Sequence, residues 1–234
     1  MGVDPVVAAL RRYSVKSMAG EPLRSVRVDR RGLVGDRWYA VVDEQGHLAS
    51  GKDSRRFRRH DEVFGYGATT GPDGAVTVVR GDRTWVVGDP RLDRDLSESF
   101  GTAVEVRPED RTPHQDDGQV SLVGTATLRW CAERWGDEPD PRRTRMNVVV
   151  ETDEPFAEEA WVGQLLVLGS TQLHVVSPVP RCRMLDVAQD GVRPTRRWLR
   201  PLAVEREMNL GVYADVRQPG GITVGDAVRP AWRT

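Results

Sequence analysis

Lysine occurs only at positions 16 and 52, and cysteine only at 131 and 182. Two cysteines do not make a disulfide framework, and thiols inside a cell stay reduced. No apolar run approaches the ~20 residues that a membrane-spanning helix needs. The opening Met-Gly-Val-Asp-Pro-Val-Val-Ala-Ala-Leu has no basic region ahead of its short apolar stretch, so it does not read as a secretion signal. An excess of one charge is missing as well. The net charge is −1 with 29% charged and 38% hydrophobic residues, which argues against a nucleic-acid binder. The expectation is a soluble, globular, cytoplasmic protein that needs neither membrane nor nucleic acid. Its 234 residues suffice for one large β domain or two small ones.

What is present is mostly strand-like. Short Val-rich segments at 6–13, 23–28, 37–42, 63–69, 75–80, 83–87, 103–107, 119–123, 145–151, 164–168, 171–177, 209–216 and 222–228 are separated by turns such as Gly71-Pro72-Asp73-Gly74. That spacing predicts a mainly β protein built as barrels or sandwiches, with a few short helices, rather than a doubly wound sheet. Helical periodicity shows at 91–100 (Leu92, Leu96, Phe100), at 125–135 (Leu128, Cys131, Trp135) and, more weakly, at 195–207. The polar, proline-bearing stretch 108–118 reads as a loop or linker. It divides an N-terminal β unit, 1–107, from a C-terminal β unit, 108–234, although the first strand can pack with the second unit.

Cys131 falls on the apolar stripe of its helix and reads as core. Cys182, in Val-Val-Ser-Pro-Val-Pro-Arg-Cys-Arg-Met (175–184), follows a strand and two prolines that end a ladder. Arg181 and Arg183 flank it and favour the thiolate, which attacks electrophiles and binds soft metals. A packed small hydrophobe is the equally available reading of the decapeptide alone. Zinc is disfavoured because His47, His60, His114 and His174 are scattered, and nothing local supports a cysteine protease. Arg55-Arg56-Phe57-Arg58-Arg59-His60 reads as a solvated loop. Arginine is so abundant that a single one says little, whereas Lys16 offers a compact point charge suited to phosphate. Three strand ends carry cations or amides: Tyr13-Ser14-Val15-Lys16-Ser17, Gly35-Asp36-Arg37-Trp38 and Arg145-Met146-Asn147.

Those segments also carry a resemblance. Tyr13–Ser17 resembles the opening of the MOSC-type chains found in molybdenum cofactor sulfurases and the mitochondrial amidoxime reducing component, whose MOSC domain follows an N-terminal β-barrel domain. Gly32–Trp38, Arg145–Val150, Pro180-Arg181-Cys182, and Gly211–Ala214 followed by Val224-Gly225-Asp226 resemble further segments of that family in the same order. The resemblance implies a molybdenum cofactor with a single pyranopterin, and Cys182 as the protein's ligand to the metal. It further implies that Lys16, Ser17 and Arg37 hold the phosphate end, that Arg145 and Asn147 hydrogen-bond the pterin, and that Thr125 and Thr127 offer hydroxyls. Arg181 and Tyr213 complete the cofactor-binding set. Met18, Gly124, Ala49–Lys52 and Met184–Asp186 depart from the family pattern, so the substrate face is this chain's own. The implied activity is a molybdenum oxidoreductase that reduces small N-hydroxylated or related N–O molecules. Its electrons would come from an external protein such as a ferredoxin, cytochrome or reductase, because the chain has no ferredoxin-like cysteine set and no Gly-x-Gly-x-x-Gly segment. The alternative is a non-catalytic carrier of the cofactor, or of sulfur as a Cys182 persulfide.

Overall fold

Short valine-rich segments pair into four sheets in the computed structural model, which describes residues 4–111, 113–195 and 197–231. The first strands are β1 (Val7–Arg12), β2 (Glu21–Leu23), β3 (Ser25–Asp29), β4 (Gly32–Leu33), β5 (Tyr39–Asp43), β6 (Leu48–Ser50) and β7 (Phe57–Arg59). Next come β8 (Gly67–Thr70), β9 (Val76–Arg80), β10 (Arg83–Val86), helix α1 (Pro90–Phe100) and β11 (Val104–Pro108). The second half holds β12 (Val120–Gly124), α2 (Thr125–Trp135), β13 (Val148–Val150), β14 (Leu165–Leu168) and β15 (Thr171–Pro180). It ends with α3 (Leu199–Arg206), β16 (Asn209–Gln218), β17 (Gly220–Thr223) and β18 (Val228–Pro230). The protein is mainly β, as its spacing predicts.

The largest sheet has eight strands in the order β18-β14-β15-β16-β12-β13-β1-β2. Its one parallel pair, β12 with β13, is joined through α2. One face carries Leu10, Leu122, Val148, Val150, Leu173 and Val212, which pack with Val26, Val28 and Ile222 of the small β17-β3-β4 sheet. The opposite face carries Val123 and Val149 with Leu128 of α2. Covering on both faces explains why β12 and β13 are buried along their whole length rather than at alternate positions. A second core, with Val41, Phe64, Tyr66, Val78, Leu92 and Leu96, lies among β5–β11 and α1. Asp89 caps the start of α1 by accepting from the Arg91 N–H, and Gly101, at φ 69°, ends it. A third core stacks Trp135 edge-on against Trp198 beside Leu202 and Leu210. Cys131 is fully buried there, and burial pushes its thiol up to about 12, so it is a packing residue.

Several expectations change in detail. The prolines before Cys182 do not end the ladder. β15 runs through Pro178 and Pro180, paired with Val212 and Asn209, because its register shifts at Val175/Ser177 and Pro178/Pro180 release positions where no N–H is required. Residues 63–69 split into a 3-10 turn, Asp61–Gly65, and β8. Residues 222–228 split between β17 and β18, which belong to different sheets. The last helix starts only at Leu199, and Arg196 of the expected 195–207 segment lies outside the described residues. The division at 107/108 is crossed by β1, which pairs with β13 as expected of the first strand, and also by β3, which pairs with β17. The stretch 108–118 is no plain linker, since His114 and Gln115 are buried.

Candidate functional site

The interface between the large sheet and the second core holds a cavity of about 230 Å³. Lys16, Ser17, Arg37, Arg145, Asn147, Arg181, Cys182 and Tyr213 all line it, together with Lys52 and Asp116. Eight of the ten residues proposed from sequence therefore converge from five distant chain segments. Thr125 and Thr127 do not. The Thr125 hydroxyl reaches the Thr152 carbonyl and that of Thr127 donates to Glu158 Oε2 (2.8 Å), so both serve the start of α2. Ser121 does line the cavity, and its hydroxyl donates to Asn147 Oδ1 at 3.0 Å.

Each cation is delivered by local geometry. After β1 the chain bridges Tyr39 through Val15, and the Lys16 N–H donates to the Tyr39 carbonyl. Ser17 then turns at φ 69°, with its hydroxyl on the Ala49 carbonyl. Arg37, at φ 53°, follows the turn after β4, and Arg145, at φ 55°, ends the 3-10 turn Pro141–Thr144. A non-glycine residue in the left-handed region costs roughly 1–2 kcal/mol. That three cavity residues share this conformation marks a wall whose shape outweighs backbone comfort.

Tyr13 lies beneath this wall, fully buried, with the guanidinium of Arg145 4.2 Å and that of Arg37 5.0 Å from its ring centre. The negative ring face lets two like charges approach. Asp36, fully buried, pairs with Arg37; burial opposes that guanidinium's charge, but Asp36 and Asp116 together offset it and the net effect is upward. Arg145 donates to the Met18 carbonyl (2.8 Å), and burial brings it down to about 10. Burial brings Lys16 down to about 8; its ammonium meets the His114 carbonyl at 2.7 Å and Asp116 Oδ1 at 3.2 Å. Arg181 donates from Nη2 to the Thr144 carbonyl (2.6 Å), while its buried Nε has no partner.

Cys182 is half-buried at the end of β15 and begins the 3-10 turn Arg183–Leu185. Arg183 fastens that turn to the other unit through a two-pronged contact with Asp61 (2.6 and 3.0 Å) and the Gly51 carbonyl (2.8 Å). A Cβ at Gly51 would stand 2.6 Å from Met184 Sδ, so a larger residue there would push that side chain aside. Tyr213, on β16, has its hydroxyl pushed up to about 12 by burial and so keeps its proton. Asp116, Gln115, Lys52 and Met184 were not among the residues proposed from sequence. The polar run 115–118 was the only signal for Gln115 and Asp116, and it reads equally well as a loop; Lys52 and Met184 stood in segments noted only for departing from the family pattern.

Among the described residues, no group of three or more His, Cys, Asp or Glu side chains could hold a metal ion, and no helix is long and apolar enough to cross a membrane. The chain is similar to molybdenum cofactor sulfurase from Danio rerio, 38% identical over 84 residues that make up 35% of this chain and 10% of that protein. It is also similar to molybdenum cofactor sulfurase from Anopheles gambiae, 25% identical across 96% of this chain and 37% of that protein. The chain thus spans little more than a third of these relatives' length at most. Among solved structures, the YUAD protein from Bacillus subtilis matches at 12% identity and a TM-score of 0.49, over 97% of this chain and 94% of that one. Residues 4–59 match the MOSC N-terminal beta barrel domain and residues 109–229 the MOSC domain, and the chain belongs to the MOSC domain family.

Proposed function

We propose that the cavity binds a molybdenum cofactor with a single pyranopterin, and that the protein is an oxidoreductase acting on small N-hydroxylated or related N–O molecules. The observation that carries this reading is the meeting of one cysteine with five cations (Lys16, Arg37, Lys52, Arg145 and Arg181) on the wall of a single cavity. The donor set fits the group. Cys182 offers one soft sulfur, so a metal beside it needs most of its donors from an organic ligand that brings its own. The unpartnered Arg181 Nε supplies a buried N–H that awaits an acceptor.

In this reading Lys16, Ser17 and Arg37 hold the phosphate end, Arg145, Asn147 and Arg181 hydrogen-bond the ring system, and Cys182 ligates the metal. When bound, the cofactor supplies two-electron exchange with an N–O bond. The protein's residues do the rest. Tyr213 keeps its proton at neutral pH and offers it as a hydrogen bond. Asn147, fixed through Oδ1 by Ser121, presents its amide in one orientation. The buried guanidiniums stay charged without reorganising when an anion arrives. Electrons come from an external protein.

The test is expression in a host that makes the cofactor, followed by molybdenum and pterin analysis. Near-stoichiometric molybdenum is expected in the natural protein and none in Cys182→Ala, with dye-driven reduction of an amidoxime or hydroxylamine by the loaded form. A natural protein that never carries molybdenum would overturn the reading. The similarity to sulfurases favours a second one, a carrier of sulfur at Cys182. A persulfide on Cys182 in metal-free protein, found by mass spectrometry, would support it.

A further inference from the structure

Among the cations of the cavity stands one carboxylate that the proposed chemistry does not use. Asp116 Oδ1 lies 3.2 Å from Lys16 Nζ, yet the aspartate side chain is 43% exposed while that of Lys16 is 5% exposed. The segment carrying it is held by its backbone rather than by this side chain. Lys16 donates to the His114 carbonyl, and Arg56 donates to the carbonyls of Pro113 (2.5 Å), Gln115 (3.1 Å) and Asp116 (3.4 Å). Burial alone would raise the Asp116 carboxyl, but Lys16, Lys52 and Arg37 hold it far below the usual carboxylate range. The carboxylate therefore reaches in from the solvent side and sits where three cations would otherwise face an anionic ligand.

We propose that Asp116 is the site's resident counter-ion and sets the charge of the ligand it accepts: it occupies the position that a ligand's phosphate takes, and it yields only to an anion carrying two or more negative charges. This rests on reading the cavity as the site of a phosphate-bearing ligand. A monoanion that displaces Asp116 exchanges one ion pair for another and gains nothing. A phosphate or pyrophosphate group engages Lys16, Lys52 and Arg37 together, and the gain exceeds the loss. The loss is limited because the half-exposed aspartate regains water as it swings outward, while the arriving anion re-pairs the buried Lys16 ammonium. The aspartate can swing outward while Arg56 keeps the backbone in place.

The test is calorimetric titration of cofactor-free protein with inorganic pyrophosphate and, separately, nitrate. In Asp116→Asn, an exposed change that does not threaten folding, pyrophosphate should bind about ten-fold more tightly, equivalent to ~1.4 kcal/mol. Nitrate should bind detectably only in that variant. Asp117→Asn, which neutralises a neighbouring carboxylate on the same cavity wall, should change pyrophosphate affinity by less than about three-fold. Unchanged or weaker pyrophosphate binding in Asp116→Asn would overturn the proposal, as would an equal gain in Asp117→Asn or nitrate binding to the natural protein. Molybdenum plays no part in these titrations. A protein that shows the expected shifts but never loads the metal keeps this role for Asp116 and loses the function proposed above. A loaded protein whose Asp116→Asn variant shows no gain does the reverse.

Discussion

Replacing Lys16 by methionine should make the ligand-free protein more stable and abolish its anion binding. Burial brings the Lys16 ammonium down to about 8 from its ordinary 10.5. At ~1.36 kcal/mol for each tenfold of proton affinity, keeping it charged at pH 7 costs the fold about 3 kcal/mol. The sign follows from which state takes up the proton first. Above pH 10.5 the amine is neutral whether the chain is folded or not, and there is no penalty. As pH falls from 10.5 to 8 the unfolded chain protonates first and gains on the fold, and below pH 8 the penalty is complete. Methionine removes it but leaves the His114 carbonyl without its 2.7 Å donor, a loss of about 1 kcal/mol. The net gain of about 2 kcal/mol corresponds to a rise in melting temperature of roughly 4–8 °C for a chain of this size. Thermal melts of the natural protein and Lys16→Met at pH 7 and pH 10, paired with pyrophosphate titration, measure all of it. The stability gap should be open at pH 7 and nearly closed at pH 10, and pyrophosphate binding should be lost. A variant that melts lower than the natural protein at pH 7, or a gap of equal size at both pH values, would refute the reasoning.

Two further outcomes follow from the same wall. Tyr13→Phe keeps the ring under Arg37 and Arg145 and removes a buried hydroxyl that has no partner, so pyrophosphate affinity should be retained, with stability equal or slightly higher. Tyr13→Leu removes the ring and should weaken pyrophosphate binding about ten-fold; equal affinities in the two variants would show that the ring does not position the guanidiniums. Asp61→Asn cuts the clamp from Arg183, beside Cys182, to the other unit. Arg183 holds the Asp61 carboxyl down to about 2, so its contribution is present above pH 3.8 and lost as pH falls toward 2. The pair is partly exposed, so the expected difference in stability is about 1 kcal/mol or less at pH 5, vanishing by pH 2. Melts that differ equally at both pH values would contradict the assignment.

The strand pattern was legible in the sequence because it depends on local rules, and most of the cavity's residues were legible through the short motifs that carry the family resemblance. Valine-rich runs between Gly and Asp-Gly turns mark strands whatever their partners, and Leu92, Leu96 and Phe100 mark one helix face wherever that helix packs. Lys16, Arg37, Arg145 and Cys182 stand in short motifs at strand ends, where side chains from distant segments can meet. What escaped was set by pairing and by conformation. Pro178 and Pro180 read as the end of a strand because the register shifts that accommodate them arise only against β16. Thr125 and Thr127 are polar residues near the right strand, but helix α2 begins at Thr125 and aims them at Thr152 and Glu158. Nothing in a Ser, Arg or Arg side chain announces the left-handed backbone of Ser17, Arg37 and Arg145. The enclosing folds impose it, and the strain they absorb is what turns these three side chains toward one cavity. Asp116 escaped for the opposite reason: an exposed loop carboxylate is ordinary until Lys16, buried 100 residues away in sequence, is found beside it. A site made of like charges needs a counter-ion until its ligand arrives, and a half-exposed aspartate on a loop fastened by its backbone meets that need without locking the ligand out.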